Sequence, residues 1–109
     1  MAKHNFPRFS DVITVNGEQY KLTNDPYPTE DVERSGKWCS SQFHAQAYSV
    51  AELNSNDPTI GVYNICWVVL PEYANVSSFS LEQWEAACDW SKPICAEDLY
   101  PVARKDIIF

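Results

Sequence analysis

Ile60-Gly61-Val62-Tyr63-Asn64-Ile65-Cys66-Trp67-Val68-Val69-Leu70 decides how this chain folds. In an extended strand, side chains alternate between two faces. One face of this run carries Ile60, Val62, Cys66, Val68 and Leu70, and the other carries Tyr63, Ile65, Trp67 and Val69. Both faces are apolar, so the segment reads as a central strand covered on both sides, or as one whose Tyr63/Trp67 face is a contact surface. Pro71 closes it. At eleven residues, broken by Gly61 and Asn64, it is too short and too interrupted to cross a bilayer, which needs roughly 18 apolar residues.

Upstream, Asn54-Ser55-Asn56-Asp57-Pro58 is a turn, and a partner strand is expected from about Trp38 or Phe43 to Leu53. Nearer the N-terminus, Phe9 to Leu22 reads as a hairpin around Asn16-Gly17, because a type I′ turn needs positive φ at both central residues. That turn sets Val15 opposite Glu18, Thr14 opposite Gln19, Ile13 opposite Tyr20 and Val12 opposite Lys21. Ile13, Tyr20 and Leu22 then share one buried face, while Val12, Thr14, Gln19 and Lys21 share a wet one. Thr23 to Lys37 is polar and offers little besides Val32 to bury, so a loop with at most one helical turn is expected there.

Downstream, Ser80 to Trp90 reads as a helix. Ser80 and Gln83 form a capping box, with Phe79 and Trp84 in staple positions. Leu81, Trp84, Ala87 and Cys88 fall on one face at helical spacing. Lys92-Pro93 ends it. Leu99-Tyr100-Pro101-Val102 looks extended, and Ile107-Ile108-Phe109 is an apolar tail expected to pack back on the body.

The chain of 109 residues, with 45% hydrophobic residues, is expected to form one domain, 1–109, with one modest core. The expected class is α+β: an antiparallel sheet of four to five strands, built from an N-terminal and a central hairpin, with one main helix from the C-terminal half packed on one face. A β-barrel with a short helix plugging one end is the alternative.

Charge narrows the partners. Eight basic residues stand against fifteen acids, giving a net charge of -7. Between Lys37 and Lys92 there is no lysine or arginine, yet that run holds Glu52, Asp57, Glu72, Glu82, Glu85 and Asp89. Neutralising phosphates takes lysine and arginine, so direct nucleic-acid binding and adsorption to anionic lipid are both disfavoured. On the expected helix, Glu82, Glu85 and Asp89 line up away from the apolar face. Like charges at such spacings cost about 0.2–0.5 kcal/mol per pair and find no relieving base. Such a stripe suits a basic protein surface, with Trp90, Tyr63 and Trp67 as aromatic anchors. The expected function is therefore a small non-catalytic interaction module; one concrete form is an inhibitor that occupies the basic surface of a nucleic-acid-binding protein. A monomer or weak dimer is expected, without a cofactor.

Met1 to Pro7 contains no apolar segment of the secretory type, so a cytoplasmic location and free thiols are expected, and Asn75-Val76-Ser77 matches the glycosylation pattern by chance. The competing function is a zinc-binding or thiol-dependent enzyme using Cys39, His44, Cys88 and Cys95. Its spacings, C-x4-H and C-x6-C, lie outside the tight knuckles of structural zinc sites. Cys66 and Cys88 read as core residues, since free cysteine behaves as a small apolar group. Three isolated glycines make no phosphate loop. The acids lie on expected loops and an exposed stripe, which suits solvation better than acid–base catalysis.

Overall fold

In the computed structural model, which describes residues 6–107, the Asn16-Gly17 hairpin forms in the expected register. Strands β1 (Val12–Val15) and β2 (Glu18–Leu22) pair Ile13 with Tyr20 and Val15 with Glu18. Asn16 and Gly17 both take positive φ, as a type I′ turn requires.

The chain then departs from the expected loop. Tyr27–Pro28 forms a short strand, β3, and Val32–Arg34 (β4) pairs with Lys37–Cys39 (β5) in a second hairpin. Ser35 and Gly36 supply its turn with φ of 53° and 80°. Trp38 belongs to this hairpin, so the next strand, β6, begins later, at Gln42, and runs to Ser49. It also ends early. Ser49 accepts a hydrogen bond from the Glu52 amide and caps a single helical turn, α1 (Val50–Leu53), where the strand was expected to continue. Strand β7 runs from Thr59 to Val68, and β8 from Cys95 to Ala103.

The main sheet is antiparallel in the order β1-β2-β6-β7-β8, with β3 beside the other half of the β6 edge that β2 uses. Strand β7 is central, as its two apolar faces required. No pairing among the described residues closes the sheet into a barrel.

The expected α+β class is overturned. The described residues are 45% strand and 16% helical, and no helix among them reaches seven residues, so no main helix packs on the sheet there. The capping box does form: Ser80 accepts from the Gln83 amide, and the Gln83 side chain accepts from the Ser80 amide. The helix it starts, α2, spans only Leu81–Ala86. It stops because the sheet takes the chain back. The Leu70 amide donates to the Ala87 carbonyl at 2.7 Å, and Cys88 bridges to Val69 in extended form. The Trp90 indole donates to the Glu85 carbonyl at 2.7 Å, capping the helix end from outside it.

The inner face of the sheet carries Tyr20, Leu22, Phe43, Ala45, Ala47, Ile65, Trp67 and Val69. Phe79, Trp84, Ala87, Cys88 and Trp90, from the largely irregular segment after β7, complete that core. Phe43 sits between the rings of Phe79, Trp84 and Trp90, with centroids 5.3–5.5 Å away in edge-to-face arrangement. Leu81, expected on the buried side of the helix, is 70% exposed.

Arg104 locks the far end. Its guanidinium donates to the carbonyls of Asp57, Leu53, Glu52 and Ser55, the last three around the C-terminus of α1. Among the described residues, no helix is long and apolar enough to cross a membrane.

Candidate functional site

Register places the polar residues of β6, β7 and β8 in rows on the outer face of the sheet. One row runs Tyr27, His44, Cys66, Cys95 across β3, β6, β7 and β8. The next runs Gln46, Asn64, Glu97, and a third runs Lys21, Tyr48, Val62, Tyr100. Neighbours in a row are side by side on a pleated face, close enough to interact directly.

A hydrogen-bond network ties the first two rows together. Gln46 Nε2 donates to the Tyr27 hydroxyl and to Asn64 Oδ1, both at 3.1 Å. The Asn64 amide nitrogen then faces His44 Nδ1 at 3.3 Å and Cys66 Sγ at 3.5 Å. The other ring nitrogen of His44, Nε2, lies 2.8 Å from Gln42 Oε1, so both imidazole nitrogens are engaged. Among the described residues no buried side-chain nitrogen or oxygen lacks a partner, so this polar layer is complete rather than strained.

On the other side of Cys66 stand Cys95 and Glu97. The ligand-type atoms of these three residues all lie within 4.8 Å of one another. Cys66 is buried, Cys95 half-buried and Glu97 exposed. Burial, followed by the hydrogen bond and negative charge of Cys95 and the charge of Glu97, pushes the Cys66 thiol up to about 12. A nucleophilic cysteine needs the opposite surroundings, basic or dipolar groups that favour thiolate. Cys66 beside His44 is therefore not an activated pair.

The expected metal and thiol set does not assemble. Cys39 is buried opposite Val32 in the β4–β5 hairpin. Cys88 lies in the core, where burial pushes its thiol up to about 12. Neither joins a group of three metal-ligating side chains among the described residues. His44 and Cys95 share the outer row, two strands apart with Cys66 between them. Cys66, read from sequence as core, is buried between them.

The expected docking residues disperse too. Trp67 is fully buried and donates its indole N–H to the Trp90 carbonyl at 3.2 Å. Trp90 is buried against Phe6, Phe43 and Trp67. The Tyr63 hydroxyl donates to Glu52 Oε2 at 2.6 Å, and that bond with the carboxylate holds its proton more tightly than usual. Trp67 and Trp90 are thus buried, and half-buried Tyr63 has its hydroxyl engaged. The acidic line also breaks: Asp89 lies beyond the end of α2 and bonds Ser91, with Lys92 at 3.9 Å. Glu85 pairs with Arg8 at 3.0 Å. Only Glu82 of the three is exposed without an ion pair among the described residues.

Comparison with protein-family models, curated proteins and solved structures yields no match.

An exposed anionic surface combined with large apolar side chains does exist, on β8. Five consecutive residues, Glu97-Asp98-Leu99-Tyr100-Pro101, are exposed. The register shift between Val62 and Tyr63 makes Leu99 a bulged residue without a partner on β7. The bulge and Pro101 blunt this edge against strand addition. Leu99 and Tyr100 are 46% and 54% exposed, and neither Glu97 nor Asp98 has an ion-pair partner among the described residues. In the sequence the signal was Pro101 itself, which within an extended run marks an edge strand.

Proposed function

We propose that the protein is a small non-catalytic interaction module whose β8 edge meets a basic protein surface. The observation that carries this reading is the exposed run Glu97–Pro101, in which two carboxylates without an ion pair among the described residues directly precede Leu99 and Tyr100. Aromatic anchors supply most of the binding energy of a typical interface, and surrounding charge speeds and selects the encounter. The wider charge supports a basic partner: fifteen acids outnumber eight bases, and Arg104 is engaged with backbone carbonyls rather than with carboxylates. Basic nucleic-acid-binding surfaces are the partner class this chemistry suits, which keeps the inhibitor form of the proposal in place. The blunted edge makes the contact one of side chains, not of added backbone strand.

The test is kinetic. An arginine-rich peptide carrying one tryptophan serves as the immobilised probe, read by surface plasmon resonance at low and high salt. The wild type is expected to bind and to weaken as salt screens the charges. The E97Q/D98N/Y100A variant is expected to lose binding, while E82Q/E85Q/D89N retains it. Equal binding by wild type and the β8 variant would remove the proposal.

A further inference from the structure

We propose that Cys66, Cys95 and Glu97 form a binding site for a zinc-class divalent cation on the outer face of the sheet. The site needs no partner and is measured on the protein alone; Glu97 is the one residue it shares with the proposed docking edge.

The geometry carries the proposal. Cys66 and Cys95 are cross-strand partners, and Glu97 follows Cys95 by two residues on the same face. Their ligand atoms lie within 4.8 Å of one another. Around a tetrahedral zinc with Zn–S of about 2.3 Å and Zn–O of about 2.1 Å, such atoms stand roughly 3.5–3.8 Å apart. Closing that gap takes side-chain rotation of about 1 Å, with the two strands already in register. Three ligands set by paired strands are preorganised as a sequence-local knuckle would be, although 29 positions separate Cys66 from Cys95.

The donor set selects the ion. Two sulfur donors disfavour calcium and magnesium, which take oxygen, and one carboxylate beside them suits zinc or its spectroscopic substitute cobalt. Three protein ligands leave a fourth position, which lies on the exposed Glu97 side and takes water. Asn64, the cross-strand partner of Glu97, contacts Cys66 Sγ at 3.5 Å and connects it to His44. Outer contacts of this kind orient a ligating residue.

Cobalt(II) titration of the fully reduced protein tests this directly. One equivalent is expected to bind, with a thiolate-to-cobalt charge-transfer band and the intense visible bands of a tetrahedral site, and zinc is expected to displace it. C95S is expected to abolish the charge-transfer band even though Cys39, Cys66 and Cys88 remain. E97Q removes a proposed ligand at an exposed position that leaves the fold intact, and is expected to weaken binding by more than the about tenfold that disturbing a mere supporting contact costs. D98N is expected to bind as the wild type does. Should C95S fail to give the wild-type circular dichroism spectrum, the E97Q titration decides. Wild type that takes up no cobalt, or C95S and E97Q with unchanged spectra and affinity, would overturn the site.

Discussion

The two faces of one pair of strands, β6 and β7, are built on different physics. On the inner face, Phe43, Ala45, Ile65 and Trp67 are all fully buried, and Phe43 and Trp67 each meet the Trp90 ring edge-on. On the outer face, one residue along in each case, His44, Gln46, Asn64 and Cys66 are held by hydrogen bonds between amides, an imidazole and a thiol. The first face is stabilised by apolar burial and shape, which tolerates no vacancy. The second is satisfied pair by pair, and its polar atoms lose their partners when one member is removed. Alternation along a strand therefore separates stability from chemistry at single-residue resolution.

The largest expected effect tests the inner face. Phe43→Ala should cost about 3–5 kcal/mol, seen as a lower denaturant midpoint at unchanged slope. On the outer face, Asn64→Ala strands Gln46 and His44 and should cost about 1–3 kcal/mol. Its signature is coupling: a Gln46→Ala, Asn64→Ala double-mutant cycle should show an interaction of at least about 0.5 kcal/mol. An Asn64→Ala cost matching that of Phe43→Ala, with no coupling, would erase the distinction between the faces.

A smaller effect probes the polar hairpin region that both faces leave aside. Asp31 accepts from the Ser41 hydroxyl, the Thr29 hydroxyl and the Ser41 amide, in that order of influence, and these bonds lower it from 3.8 to about 2. A carboxylate depressed in the folded state stabilises above its unfolded value and loses that contribution as pH falls. Asp31→Ala should therefore cost roughly 1 kcal/mol at neutral pH, discounted for its exposure. The gap between variant and wild type should close as pH drops from about 4 to about 2. A gap independent of pH would mean that the charge is irrelevant. The smallest effect belongs to β8: E97Q/D98N should change stability by no more than about 0.5 kcal/mol, as befits solvated carboxylates.

What could be read from the sequence follows the range of the forces involved. The β1–β2 register was legible to the residue because Asn16-Gly17 fixes it locally. The second hairpin was signalled by Ser35-Gly36, with Val32-Glu33-Arg34 before it and Lys37-Trp38-Cys39 after it, but its polar content hid the strands. Strand β7 was legible as central because both its faces are apolar. The length of α2 was not, since what ends it at Ala86 is pairing with Val69 and Leu70, a tertiary event that helical periodicity does not encode. The outer rows were hidden for a similar reason. His44 meets Cys66 only because the α1 turn sets the β6–β7 register, and that turn depends on Ser49 capping Glu52. Arg8 reaches Glu85 across 77 positions, so the acidic stripe looked freer in one dimension than it is in three.

The proposed docking surface lies on β8 and the adjoining outer face, not on α2. Amide-resolved NMR titration with the arginine-rich, tryptophan-bearing peptide reads that location without any substitution. Shift changes centred on residues 97–100 and the adjoining outer rows are the expected result. Changes centred on Glu82 and Glu85, with β8 silent, would contradict it.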